Sequence, residues 1–182
     1  MSRAAARFAR MALVVVAALT AATVLRASPV LAQDPEPASP VLSILKQVVS
    51  DPTTYAPSAF TGTAQYLDWK SSQVFFQHGF LEENPDFTAS GLAGDTPVSY
   101  GTGNWRIARS AITNLGPSLA NNTVAAIVER VLIKRYPTHR KLVRAVSWAE
   151  RIVFASWATY RQSAASFRQW ELNDERARQL GY

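Results

Sequence analysis

Six side chains with acid–base, amide or hydroxyl chemistry fall at spacings that could bring them together: Asp68, Ser72, Glu82, Asn84, Asn122 and Glu129. On a wheel of about 100° per residue, Tyr66, Lys70 and Gln73 share one side of a helix. Asp68 lies centrally on the other side, with Thr61, Ala64, Ser71, Ser72 and Phe75. A carboxylate on the face that should be buried needs a partner, because an unpaired buried charge is too costly to keep. Ser71 and Ser72 are the nearest local help. A second polar stripe, Ser118, Asn122 and Glu129, interrupts an otherwise apolar helix at offsets of four and seven. The simplest assembly sets the Asp68 face against that stripe. Two readings stand side by side: a satisfied polar network that fixes register, or a buried carboxylate pair that binds a cation or serves as acid and base.

Other chemistries find less support. His78 with Glu82 and Glu83 is a permissible metal set, but the spacing matches no metal signature. A histidine at a helix C-terminus also serves as a cap to the dipole. No metal or cofactor is indicated. The chain has no cysteine, which removes disulfides, thiolate ligands and thiol nucleophiles. There is no Gly-x-Ser-x-Gly elbow, and Gly101-Thr102-Gly103 lacks the third glycine and preceding strand of a dinucleotide fingerprint. Lys134, Arg135, Arg140 and Lys141, with His139, surround Pro137. This is either a solvated hairpin tip or a contact for anionic lipid headgroups.

The elements that must position these residues are helical. Residues 33–57 read as a Pro-rich linker with a short amphipathic helix over 41–50, Leu42, Leu45 and Val49 on one side. Residues 58–170 should form a helical bundle domain. Its first helix, 58–78, is closed by Gly79. A Gly- and Pro-punctuated loop spans 84–104, and loops of that length are often functional. A second helix, 105–136, should bend at Gly116-Pro117. A third, 139–170, should turn Leu142, Val146, Ala149, Val153, Trp157, Tyr160, Ala164 and Phe167 inward and Arg144, Arg151 and Gln162 outward. Residues 171–182 read as a polar tail. The fold class is all-α: a bundle of three long helices plus a short N-terminal helix, after a cleavable signal peptide. Neither later helix suits a bilayer alone. Each central charge, such as Glu129, Arg130, Glu150 or Arg151, costs about 2.5–3.5 kcal/mol on insertion scales.

Residues 1–32 have the layout of a secretory signal. Arg3, Arg7 and Arg10 precede the apolar run from Met11 to Leu25, and Val30 and Ala32 sit at the −3 and −1 positions of a cleavage site. The chain carries +6, but four arginines belong to this leader; the remainder holds fifteen bases against thirteen acids. The basic balance is therefore no argument for a nucleic-acid partner. Charge is instead polarised, with two bases against eight acids over 33–99 and thirteen against five over 100–182. The halves should attract each other, or the basic half should face anionic lipid.

Asp68-x-x-x-Ser72 followed by Gly79-x-x-Glu82-x-Asn84-Pro85 resembles a pattern found in a family of small uncharacterised bacterial membrane proteins. The match covers about eighteen residues. The resemblance implies that Asp68, Ser72, Gly79, Glu82, Asn84 and Pro85 work as one structural unit, and it implies no activity. The leading expectation is an exported, non-enzymatic binding or scaffold module of the periplasm or the inner-membrane periphery. Its partner would be an envelope protein or an anionic membrane surface. One alternative is a small ligand- or metal-binding enzyme using inward-facing carboxylates; another is a polytopic inner-membrane protein.

Overall fold

A computed structural model of the chain describes residues 39–182; the signal-peptide reading of residues 1–32 lies outside them. The fold is all-α: a short helix α1 (Pro40–Ser50), then α2 (Ala56–Gln77), α3 (Tyr100–Arg135) and α4 (Arg140–Leu180). Among the described residues no helix is long and apolar enough to cross a membrane.

Local chemistry sets most of the boundaries. Pro40 opens α1, where its fixed φ and missing N–H cost nothing. Asp51 closes it in an extended conformation, as the residue before a proline must. The Asp51 carboxylate then caps the following 3-10 turn, accepting from the Thr53 amide at 2.9 Å and its hydroxyl at 2.6 Å. Gly79, at φ +81°, ends α2. The Gly79 amide bonds to Phe76 and the Phe80 amide to Phe75, the paired bonds of a Schellman cap, and the Phe75 and Phe80 rings meet edge to face.

Two boundaries differ from those expected. α3 starts at Tyr100 rather than 105, because the Ser99 hydroxyl accepts from the Thr102 amide and acts as an N-cap. Gly101 and Gly103 are therefore helical. Gly103 is small because a Cβ there would lie 2.3 Å from the Trp69 ring. α4 continues ten residues past Trp170, so most of the expected polar tail is helix. Its true stop is Gly181, at φ +78°.

The chain divides into two compact units, and each is described by itself. The first comprises the described residues up to Ala56 with Gly116–Ala158; the second comprises Pro57–Leu115 with Thr159–Tyr182. The helices α3 and α4 are continuous through the two junctions, and Pro117 lies inside α3 without ending it.

The first unit has a polar centre. Arg151, read from sequence as outward-facing, is buried, while Leu142, Val146, Val153 and Trp157, read as inward, are more than half exposed. Arg151 turns in because two carboxylates wait for it: Asp51 at 2.9 Å and Glu129 in close contact. Once α4 commits that face, its apolar stripe is left at the surface. α1 does the same, burying Val48 and exposing Leu42, Leu45 and Val49.

The second unit packs by small and aromatic residues. Ser58 donates to the Ala111 carbonyl, and a Cβ on Gly62 would meet Ala111 at 3.3 Å, so α2 and α3 run close together here. Trp69 is buried among Phe76, Phe87 and Tyr100, at ring separations of 5.6, 5.1 and 6.5 Å. Between α2 and α3 the chain is ordered by backbone pairing, with bridges Glu82–Asp95 and Thr88–Pro97. Arg106 clamps it through the Asp86 and Thr88 carbonyls.

Candidate functional site

The six residues singled out in the sequence fall into two groups with separate partners. Asp68, Ser72, Glu82 and Asn84 belong to the second unit; Asn122 and Glu129 belong to the first. The expected docking of the Asp68 face on the Asn122–Glu129 stripe is replaced by a different set of pairings.

In the second unit, Asp68 meets Asn173 of α4. The Asn173 amide nitrogen lies 3.3 Å from Asp68 Oδ1, 3.1 Å from the Ser71 hydroxyl and 2.9 Å from that of Ser72. Gln169, one turn earlier, holds the Asn173 oxygen at 2.9 Å and so fixes which way the amide points. Asn173 was missed because its segment reads as a tail. The signal was present: Phe167, Trp170, Asn173 and Ala177 continue the inward helical spacing, and Gly181 supplies a later stop.

Glu82 and Asn84 act on backbone. The Glu82 carboxylate accepts from the Asn84 amide at 2.7 Å, and the Asn84 oxygen accepts from the Asp86 amide at 3.0 Å, capping the 3-10 turn Pro85–Phe87. His78 places Nδ1 2.7 Å from the Val74 carbonyl and stacks on Tyr182. It satisfies a last-turn carbonyl of α2.

Asp68, Ser72, Glu82 and Asn84 line one cavity of about 490 Å³ within this unit. Phe75, Phe76, Phe80, Phe87 and Trp69 contribute its aromatic walls, and Glu83, Asp86 and Arg176 its remaining charges. Burial first, and then the Glu82 charge, push the Asp68 carboxyl up to about 7 against the opposing Asn173 bond. Glu82 is also raised, chiefly by burial, against the backbone amides that hold its charged form. Asp68 is thus poised to exchange a proton near neutrality.

In the first unit, Asn122 is buried and donates to both threonine hydroxyls of the turn after α1, Thr53 at 2.9 Å and Thr54 at 2.7 Å. Glu129 joins Arg151 and also accepts from Gln47 at 3.3 Å. These contacts tie α1 and its turn to α3 and α4, and they pair both Asp51 and Glu129 with Arg151. Lys134, Arg135, Arg140 and Lys141 are all exposed around the turn between α3 and α4. Beside them a mostly apolar groove of about 430 Å³ is lined by Val124, Val128, Leu132, Leu142 and Val146, with Glu129 and Glu150 also in its lining.

Among the described residues no group of three His, Cys, Asp or Glu side chains could hold a metal ion. No protein-family model, curated protein or solved structure matches the chain.

Proposed function

We propose that the protein is a non-enzymatic helical module of the cell envelope that docks on anionic lipid through the turn between α3 and α4. The observation that carries this reading is the union, in one unit, of an exposed apolar face with an exposed cluster of cations. Leu142 and Val146 are 62% and 60% exposed, Val128 and Val131 48% and 59%. An apolar surface of this kind marks an interaction site. The partner's chemistry follows from the rim: Lys134, Arg135, Arg140, Lys141 and Arg144 stand at the same end of the helices. Each cation near an anionic bilayer contributes about 1 kcal/mol, and an amphipathic helical surface adds the burial of its apolar side chains.

A further point favours an external anion. Lys134 and Arg135 suit the C-terminal end of α3, but Arg140, Lys141 and Arg144 crowd the N-terminal end of α4, whose first turn has no acid. Cations there oppose the helix dipole, at roughly 0.3–1 kcal/mol each. A local rule broken in this way is expected where a site faces a partner. The leader-like layout of residues 1–32 adds the expectation of export.

Flotation with lipid vesicles tests the reading. The protein should float with phosphatidylglycerol-rich vesicles at low salt and be released as salt screens the cations. Arg140→Glu with Lys141→Glu should abolish flotation, and Leu142→Asp should weaken it at low salt. Equal binding to phosphatidylcholine alone, or a stable dimer in solution that buries Leu142 and Val146, would overturn it.

A further inference from the structure

The two units treat their inward-facing carboxylates, well buried in the first and half-buried in the second, in opposite ways. In the first, Asp51 and Glu129 are both matched by Arg151. In the second, Asp68 and Glu82 have no ion-pair partner among the described residues, and both line the same cavity. Its volume, about 490 Å³, falls within the roughly 300–1,000 Å³ of ordinary small-molecule sites.

The charge balance of the lining is acidic, four carboxylates against one cation. Asp68 comes from α2, Glu82, Glu83 and Asp86 from the segment after it, and α4 contributes the single cation, Arg176. That guanidinium is already engaged, 5.9 Å from the Phe75 ring centre and 5.2 Å from that of Phe80. Its placement shows that these rings accept a cation on their faces. The remaining walls combine aromatic rings with the polar side chains of Gln65, Ser72, Asn84 and Gln169, which suits a small molecule with a flat hydrocarbon part and a polar end.

We propose that this cavity is a binding site for a small organic cation, an aryl-alkyl primary ammonium, whose amine pairs with Asp68 and Glu82 while its ring packs among the phenylalanines. The assignment is independent of lipid docking, which uses the other unit. Asn173 and Gln169 act as positioning residues, since they hold the Asp68 carboxylate by its Oδ1 side. A ligand ammonium supplies the countercharge that the fold omits, and truncated or neutral molecules leave the two carboxylates unpaired.

Binding has a pH signature. With Asp68 raised to about 7, the free site is largely protonated in mild acid, so an ammonium must displace a proton to form the pair. An alkylamine of lysine type stays charged to about pH 10, so the titrating partner is the protein. Affinity should rise by on the order of tenfold or more between about pH 5.5 and pH 8.

Isothermal titration of the full chain with 2-phenylethylamine, and with 2-phenylethanol as its neutral counterpart, tests the proposal. The amine should bind one to one at about pH 8, releasing a proton near pH 7 that shows as a buffer-dependent enthalpy. The alcohol should bind at least tenfold more weakly. Asp68→Asn should cost at least tenfold in amine affinity and remove the pH dependence. Glu82→Gln, a second near-isosteric change, should weaken the amine alone and keeps the test open should the first variant misfold. Absence of amine binding by the folded wild-type protein would overturn the assignment, as would equal affinity for amine and alcohol or unchanged affinity in a folded Asp68→Asn variant.

Discussion

Arg151 Nη1 stands 2.9 Å from Asp51 Oδ2, a bond that spans 100 residues of sequence and joins α4 to the end of α1. All three members of the set are well buried, with side-chain exposures of 7% for Arg151, 10% for Asp51 and 12% for Glu129. Removing the arginine leaves two carboxylates without their cation. Arg151→Met should therefore destabilise the protein by about 3–5 kcal/mol, read by urea unfolding at neutral pH. A loss under about 1 kcal/mol would mean that solvent already reaches the site.

Asp68 gives the protein a stability slope of defined sign. Its carboxyl titrates at 3.8 when unperturbed and at about 7 in the fold. Between those values the folded chain keeps a proton that the unfolded chain has released, so stability falls as pH rises through the window. The contribution is fully favourable below pH 4 and lost above pH 7. Asp68→Asn should flatten this slope, raising the melting temperature at pH 8 and leaving it nearly unchanged at pH 4. Melting curves across that range provide the check.

Asn173 holds three oxygen acceptors on α2 from the C-terminal part of α4. Its replacement by alanine takes a donor from the Ser71 and Ser72 hydroxyls, which keep their own bonds to the Asp68 carbonyl, and removes the bond that favours ionised Asp68. A loss of about 1–3 kcal/mol is expected. The Asp68 titration, followed by the carboxyl carbon signal in NMR, should move still higher.

Gly101 and Gly103 predict opposite outcomes for the same substitution. Nothing lies within 4 Å of a Cβ at Gly101, whereas one at Gly103 would strike the Trp69 ring at 2.3 Å. Trp69 cannot retreat, being stacked against Phe87 and Tyr100. Gly101→Ala should stabilise by roughly 0.5–1 kcal/mol through helix propensity. Gly103→Ala should destabilise by about 1–3 kcal/mol through overpacking. Thermal unfolding of the two single variants would separate them.

The sequence by itself determined the helical elements, because periodicity, prolines and the Gly79 stop act within a few residues of one another. The resemblance also implied that Asp68, Ser72, Glu82 and Asn84 form one unit, and these four do line one cavity, since α2 and the segment after it carry them all. What only the tertiary structure decided was which face each helix turns inward. On α4 a wheel offers an apolar stripe through Leu142, Val146 and Val153 and a polar face with Arg151, and hydrophobicity favours the first. Asp51 and Glu129, 100 and 22 residues away from Arg151, reverse that preference, because two buried carboxylates require a cation more than three aliphatic side chains require cover. The same holds for Asn173, whose role depends on acceptors 101 to 105 residues distant. Local spacing defines which side chains share a face; only the meeting of distant segments defines what that face meets.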